Sequence, residues 1–276
     1  MNDLLQAAAE SAQTLIAAAF GRAVPEALAQ GVRLLGTVTL PRRAEHGDLA
    51  ANHALTCAAA LGLPPAELAR RLARNMDLDG SCFAAVDSAR AGFLNFTLSD
   101  AWYAAVLDEA ARPVTPPTAI AAPETAADEL RLFPRTEVVP VGELSQRGDM
   151  ANGVYRVRYA YARMGAVIEN YAAAARPVYP AETADVALLS LAAERALIKL
   201  IAMLPGECAR AGERRDAAAL CSYALRLADG FYAVYALPGY FSADEHTLAQ
   251  RLRLLAAARR ALGYALDRAG VNKNMI

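Results

Sequence analysis

The sequence predicts a mainly α-helical protein: a small α+β domain over residues 1–111, a proline-rich linker over 112–145 and an α-helical bundle over 146–276. Three observations predict it. Hydrophobic residues make up 55% of the 276 positions and charged residues 21%, and alanine supplies much of the apolar share. Alanine has the highest helix propensity and buries little area, which favours closely packed helices. Pro113, Pro116, Pro117, Pro123, Pro134 and Pro140 exclude a long helix between the two parts. Beyond them Met150, Val154, Val157, Tyr161, Met164, Ile168 and Tyr171 recur at steps of four and three, the spacing of one buried helical stripe.

Taken in order, residues 2–20 read as an opening helix with Leu4, Leu5, Ala8, Leu15, Ile16 and Phe20 on its apolar face, interrupted by Gly21 and Pro25. Val32 to Leu40 reads as a strand ended by Pro41. Glu45-His46-Gly47-Asp48 is a turn whose Asp48 is placed to cap a helix running to Leu61 and stopped at Gly62. Pro64-Pro65 opens the next helix, to about Met76, because proline is tolerated in a first turn. Phe83 to Val86 and Gly92 to Leu98 read as short strands. In the second, Phe93, Asn95 and Thr97 share one face and Leu94, Phe96 and Leu98 the other. Ser99 or Asp100 can cap a helix carrying Trp102, Tyr103, Val106 and Leu107. The linker is expected to hold local order around Arg135 to Val139. In the bundle, helices fit 186–203 (stopped near Pro205), 215–236 (stopped by Pro238) and 244–269 (stopped by Gly270).

Charge is unevenly spread. Residues 1–110 carry 8 Arg and Lys against 12 Asp and Glu, residues 111–145 carry 3 against 5, and residues 146–276 carry 17 against 12, so the net charge runs from −4 through −2 to +5. Nearly all the basic charge in the last part is arginine, the cation suited to forked phosphate contacts and to stacking on bases. Cys57, Cys82, Cys208 and Cys221 form no C-x-x-C pair and stand at no ligand spacing from a histidine, so they read as buried small apolar residues and no metal is expected. The N-terminus has no basic region followed by an apolar core, and no apolar run reaches the ~20 residues of a membrane span. The expectation is a cytoplasmic chain with no membrane and no DNA partner.

Two segments carry a resemblance. His46-Gly47-Asp48-Leu49-Ala50-Ala51-Asn52, then Leu61-Gly62-Leu63-Pro64-Pro65, then Gly92-Phe93-Leu94-Asn95-Phe96 resemble the N-terminal additional domain of arginyl-tRNA synthetases in order and separation. Asn152-Gly153-Val154-Tyr155-Arg156-Val157-Arg158-Tyr159-Ala160-Tyr161-Ala162-Arg163 is similar to the opening of the arginyl-type anticodon-binding (DALR) domain. Glu194 to Leu200 and Phe231 to Tyr235 follow in that family's order. Between the two segments lies the proline-rich stretch. It holds no HIGH-type or KMSK-type motif, and the chain contains no phosphate-cradling G-x-x-x-x-G-K-[ST] or G-x-G-x-x-G. The reading is therefore no catalytic residue, no ATP site, no cofactor and no aminoacylation by this chain.

The resemblance implies the site residues. Phe93 and Asn95, with Arg90 beside them, match positions that meet the tRNA D-loop, an aromatic ring for stacking and an amide for reading an unpaired base. His46, Asp48 and Asn52 are read as structural, fixing their loop by hydrogen bonds. Tyr155, Tyr159 and Arg163 lie along one side of the first bundle helix. Tyr159, Arg163, Tyr235 and Met275 match positions around the anticodon, and Arg156 and Arg158 add phosphate-binding capacity. The implied partner is tRNA, arginine tRNA in particular, held or presented for a separate enzyme. Two alternatives stay open: a protein-interaction module that has lost RNA binding, and an accessory subunit of a separate catalytic chain. As a flexible coil the linker would average about 30 Å between its ends.

Overall fold

The computed structural model describes residues 2–26, 31–41, 43–89, 91–134, 148 and 150–274. It is mainly helical with one small sheet, and it divides into two compact units, Leu4–Trp102 and, with the first residues, Tyr103 onward.

In the first unit, α1 (Leu4–Ala23) buries Ala8, Ala12, Ile16, Ala19 and Phe20, one face at helical spacing. The sheet has four antiparallel strands in the order β1-β2-β4-β3: β1 (Val38–Thr39), β2 (Leu49–Ala51), β3 (Phe83–Ser88) and β4 (Leu94–Leu98). Two helices, α2 (His53–Cys57) and α3 (Pro65–Arg74), lie between β2 and β3, the latter entered through Pro64 and Pro65 as the sequence indicates. Leu94, Phe96 and Leu98 are buried while Asn95 and Thr97 are not. Phe96 packs on Phe83 with ring centres 4.8 Å apart.

Two expectations fail here, both through pairing that local sequence does not reveal. The strand expected over residues 32–40 shrinks to Val38–Thr39. The helix expected from Asp48 to Leu61 holds only over His53–Cys57 and a 3-10 turn at Ala59–Leu61, ended by Gly62 as expected; its first residues form β2, whose alanines have helical propensity but sit at the middle of the sheet. The N–H of Asp48 donates to the Phe96 carbonyl at 2.7 Å, and its carboxylate accepts from the Leu98 N–H at 2.8 Å. Those two bonds draw the segment onto β4. Gly47 makes the approach possible: its φ is +78°, and a Cβ there would lie 2.7 Å from the Phe96 carbonyl oxygen.

Helix α4 (Asp100–Ala111) follows, with Ser99 bonding back to the Trp102 N–H. The two units divide inside this helix, after Trp102.

In the second unit the stretch after α4 is not a free coil. The Ile120 N–H donates to the Arg268 carbonyl at 2.8 Å, and Arg268 donates back to the Thr118 carbonyl. Gly270 (φ +85°) leaves the space that the Ala121 carbonyl occupies; a Cβ would sit 1.9 Å from that oxygen. Thr125 and Asp128 then form a capping box that starts α5 (Ala126–Arg131), a short helix the prolines do not forbid. Residues 113–133 thus form a strap along the bundle. The order expected around Arg135–Val139 falls outside the described residues.

The bundle consists of α6 (Gly153–Ala172), α7 (Ala192–Ala202), α8 (Leu204–Arg214), α9 (Ala217–Tyr235) and α10 (Glu245–Ala269). Asn152, Asp216 and Asp244 cap α6, α9 and α10 with their side-chain oxygens. Helix α7 ends near Pro205 as expected but starts at Ala192 and not at 186, and Pro205 itself stands in the first turn of α8. On α6 the expected stripe holds at Val154, Val157 and Met164, whereas Tyr161, Ile168 and Tyr171 are half-buried and Met150 is 45% exposed. Ala160, Gly165 and Val167 complete the buried face, with Arg158 among them. Among the described residues no helix is long and apolar enough to cross a membrane.

Candidate nucleic-acid interface

Each unit presents its own group of implicated side chains. In the first, Phe93 stands just ahead of β4, 36% exposed. Asn95 follows on the open face of the strand, opposite Ala50 of β2 and Asp87 of β3. The alternation of β4 turns the three large apolar residues inward, so Phe93, Asn95 and Thr97 are left on the other side. Ala50 is too small to cover Asn95. The loop leading in is fixed by Gly92 (φ +93°), where a Cβ would come within 2.6 Å of the Pro65 side chain. Arg90 lies outside the described residues.

His46, Asp48 and Asn52 hold places in the same unit, with partners other than those expected. Asp48 does not cap a helix but bonds to β4. Asn52 precedes α2 without capping it, and its side-chain amide oxygen accepts from the Thr37 N–H at 2.7 Å. It ties the segment before β1 to the end of β2. His46 ends an exposed 3-10 turn, 3.7 Å from the Glu45 carboxylate.

In the second unit the implicated residues converge from α6 and α9. Tyr155 and Tyr159 stack with ring centres 6.0 Å apart and planes 22° from parallel, the result of placing aromatics at i and i+4. One turn on, Arg163 lies over the Tyr235 ring, 5.2 Å from its centre, and its Nε donates to the Tyr235 hydroxyl at 2.7 Å. That hydrogen bond raises the Arg163 guanidinium further above its ordinary value. Arg156 forms an ion pair with Asp229 of α9, and the Tyr232 hydroxyl donates to the Arg156 carbonyl at 2.9 Å. Burial raises the Asp229 carboxyl against the opposing pull of Arg156, and burial likewise raises the Tyr232 phenol. Met275 lies outside the described residues.

Sequence reasoning missed three members of this group. Tyr232 sits one helical turn before Tyr235, a spacing that could have flagged it. Asp229 is a further turn back. Phe241, beyond α9, packs on Tyr235 at 5.9 Å and on Tyr171 at 6.2 Å; no local pattern announces it. The result is a run of rings (Tyr155, Tyr159, Tyr235, Phe241) with a fixed cation set within it. Flat π-faces beside a guanidinium suit unpaired bases and their phosphates.

Arg158 does not join this face. It is buried, its two Nη2 contacts to the Glu129 carboxylate are 3.1 and 2.8 Å, and its Nε donates to the Asn272 carbonyl at 2.7 Å. The Asn272 N–H returns to Glu129 at 3.0 Å. The phosphate role expected of it is excluded by burial. It locks the strap and the residues after α10 to α6.

Comparison with known proteins agrees with this division. Residues 10–98 match the family model of the arginyl tRNA synthetase N terminal domain, and residues 157–273 match that of the DALR anticodon binding domain. An arginine–tRNA ligase of Psychrobacter sp. (strain PRwf-1) is 35% identical over 142 residues, covering 47% of this chain and 23% of that protein. The ligase of Thiobacillus denitrificans is 33% identical over 153 residues, 54% of this chain and 27% of that protein. The chain therefore spans about a quarter of the length of these curated relatives. Among solved structures, an arginyl-tRNA synthetase of Thermus thermophilus matches with a TM-score of 0.57 at 12% identity, over 93% of this chain and 99% of that one, which speaks to fold alone. The chain is arginyl-tRNA synthetase-like, an arginyl-tRNA synthetase N-terminal domain followed in the same polypeptide by a DALR anticodon-binding domain.

Proposed function

We propose that the chain is a non-catalytic tRNA-binding protein that holds or presents arginine tRNA to another enzyme. In this reading the Tyr159–Arg163–Tyr235 group takes the anticodon loop and the Phe93–Asn95 face takes the D-loop. The observation that carries it is the pairing of Arg163 with Tyr235 beside the stacked Tyr155 and Tyr159. The two matched domains support tRNA as the partner, and the positive charge of residues 146–276 supports an anionic one. The stretch between the matched domains, residues 99–156, holds neither an HIGH-type nor a KMSK-type motif, which supports the absence of aminoacylation.

Filter binding of the purified chain to individual tRNAs tests this. Arginine tRNA should bind at least tenfold more tightly than the others, and the affinity should fall steeply with salt as phosphate contacts release counterions. Equal affinity for every tRNA, or none, would overturn the selective reading. A stoichiometric protein partner co-purifying without RNA would instead favour an interaction module.

A further inference from the structure

A second concavity of the bundle is left unused by the tRNA reading. It lies on the other side of α6 from Tyr159, since Tyr161 is about 200° further around the helix. Its volume is about 380 Å³, and its lining includes Tyr161, Arg259, Arg260, Tyr264 and Pro117 of the strap. That volume is in the range of small-molecule sites.

The groove is built around a layered platform. The Arg259 guanidinium lies 4.4 Å over the Tyr161 ring, and its Nε donates to the Tyr161 carbonyl at 3.3 Å. Two glycines on the facing helices make room for it. A Cβ at Gly165 would lie 2.9 Å from Arg259 Nε, and one at Gly263 would lie 2.9 Å from the Tyr161 ring. The platform leaves polar groups unspent. Among the described residues, the Nη groups of Arg259 and the hydroxyls of Tyr161 and Tyr264 have no hydrogen-bond partner. Arg260 is anchored by donating to the Ala110 carbonyl at 3.0 Å and to the Ala111 carbonyl. The one carboxylate lining the groove, Asp267, is paired with Lys273 at 2.6 Å, so it does not oppose an anion.

We propose that this groove binds a nucleoside monophosphate unit, free or as an unpaired residue of an RNA strand. The phosphate is taken by Arg259 and Arg260, and the planar base by the Tyr264 ring. The site is separate from the Tyr159–Arg163–Tyr235 group, so it stands even where tRNA selectivity fails.

The test is calorimetric titration of the whole chain with AMP, adenosine, inorganic phosphate and a short single-stranded RNA. AMP should bind at least tenfold more tightly than adenosine or phosphate, and Arg259→Gln should weaken it at least tenfold with the unfolding curve unchanged. Tyr264→Ala carries the same expectation if Arg259→Gln does not fold. Binding of the RNA alone, lost with Arg259→Gln and kept with Arg163→Gln, assigns the site to an RNA residue and supports the proposal. Phosphate binding as tight as AMP overturns it. So does affinity unchanged in both groove variants, or no binding by any of the four probes.

Discussion

Glu129→Ala is expected to destabilise the second unit by about 3–5 kcal/mol, because it leaves the Arg158 cation buried without its partner. The two side chains are only 9% and 11% exposed, so solvent does little to screen the loss. Removing Glu129 also orphans the Asn272 N–H and removes the ion pair that ties the strap helix α5 to α6. Replacing both partners by methionine should recover more than half of the loss, since a buried ion pair exchanged for apolar side chains of similar volume is often neutral or stabilising. Urea unfolding of the three variants measures this. A single variant as stable as the parent would show that residues 113–133 are dispensable to the bundle.

Combining Tyr159→Ala with Arg163→Gln should remove most of the anticodon-loop affinity. Stacking on an aromatic side chain is worth about 1–3 kcal/mol per base, and a charged hydrogen bond about 1.5–3 kcal/mol. With tenfold in affinity for each 1.4 kcal/mol, the pair should cost about a hundredfold or more. Both side chains are half-buried at most, so stability should change far less than in Glu129→Ala. The two substitutions should also differ in kind. Arg163→Gln lowers the slope of affinity against salt by about one charge, and Tyr159→Ala leaves that slope unchanged. Equal loss of folding and binding would mean that these residues act through packing.

Much of the fold was legible in the sequence because it depends on local period and on punctuation. The alternation of residues 93–98, Pro64-Pro65 at the start of α3 and Gly270 at the end of α10 each act within a few residues. What escaped depends on contacts far along the chain. Leu49–Ala51 has the composition of a helix, and only pairing with β1 on one side and β4 on the other makes it a strand. Pro113 to Pro134 read as a coil, and its order comes from Arg268, Gly270 and Arg158, more than a hundred residues away for the first two.

The candidate site divides in the same way. Tyr155, Tyr159 and Arg163 could be placed on one helix side by spacing alone. Their pairing with Tyr235 needed the fold, and the neighbouring Arg158, equally basic in sequence, turns inward to Glu129. Sequence gives an arginine its charge; whether solvent or a carboxylate receives it is decided by the helix face.

A nuclease footprint of the whole chain on arginine tRNA tests whether both faces engage one tRNA. Protection of the anticodon loop and the D-loop is expected, the former lost in the Tyr159→Ala, Arg163→Gln variant and the latter in Asn95→Ala. Protection confined to the acceptor stem, or a pattern unchanged by either set of substitutions, would contradict it.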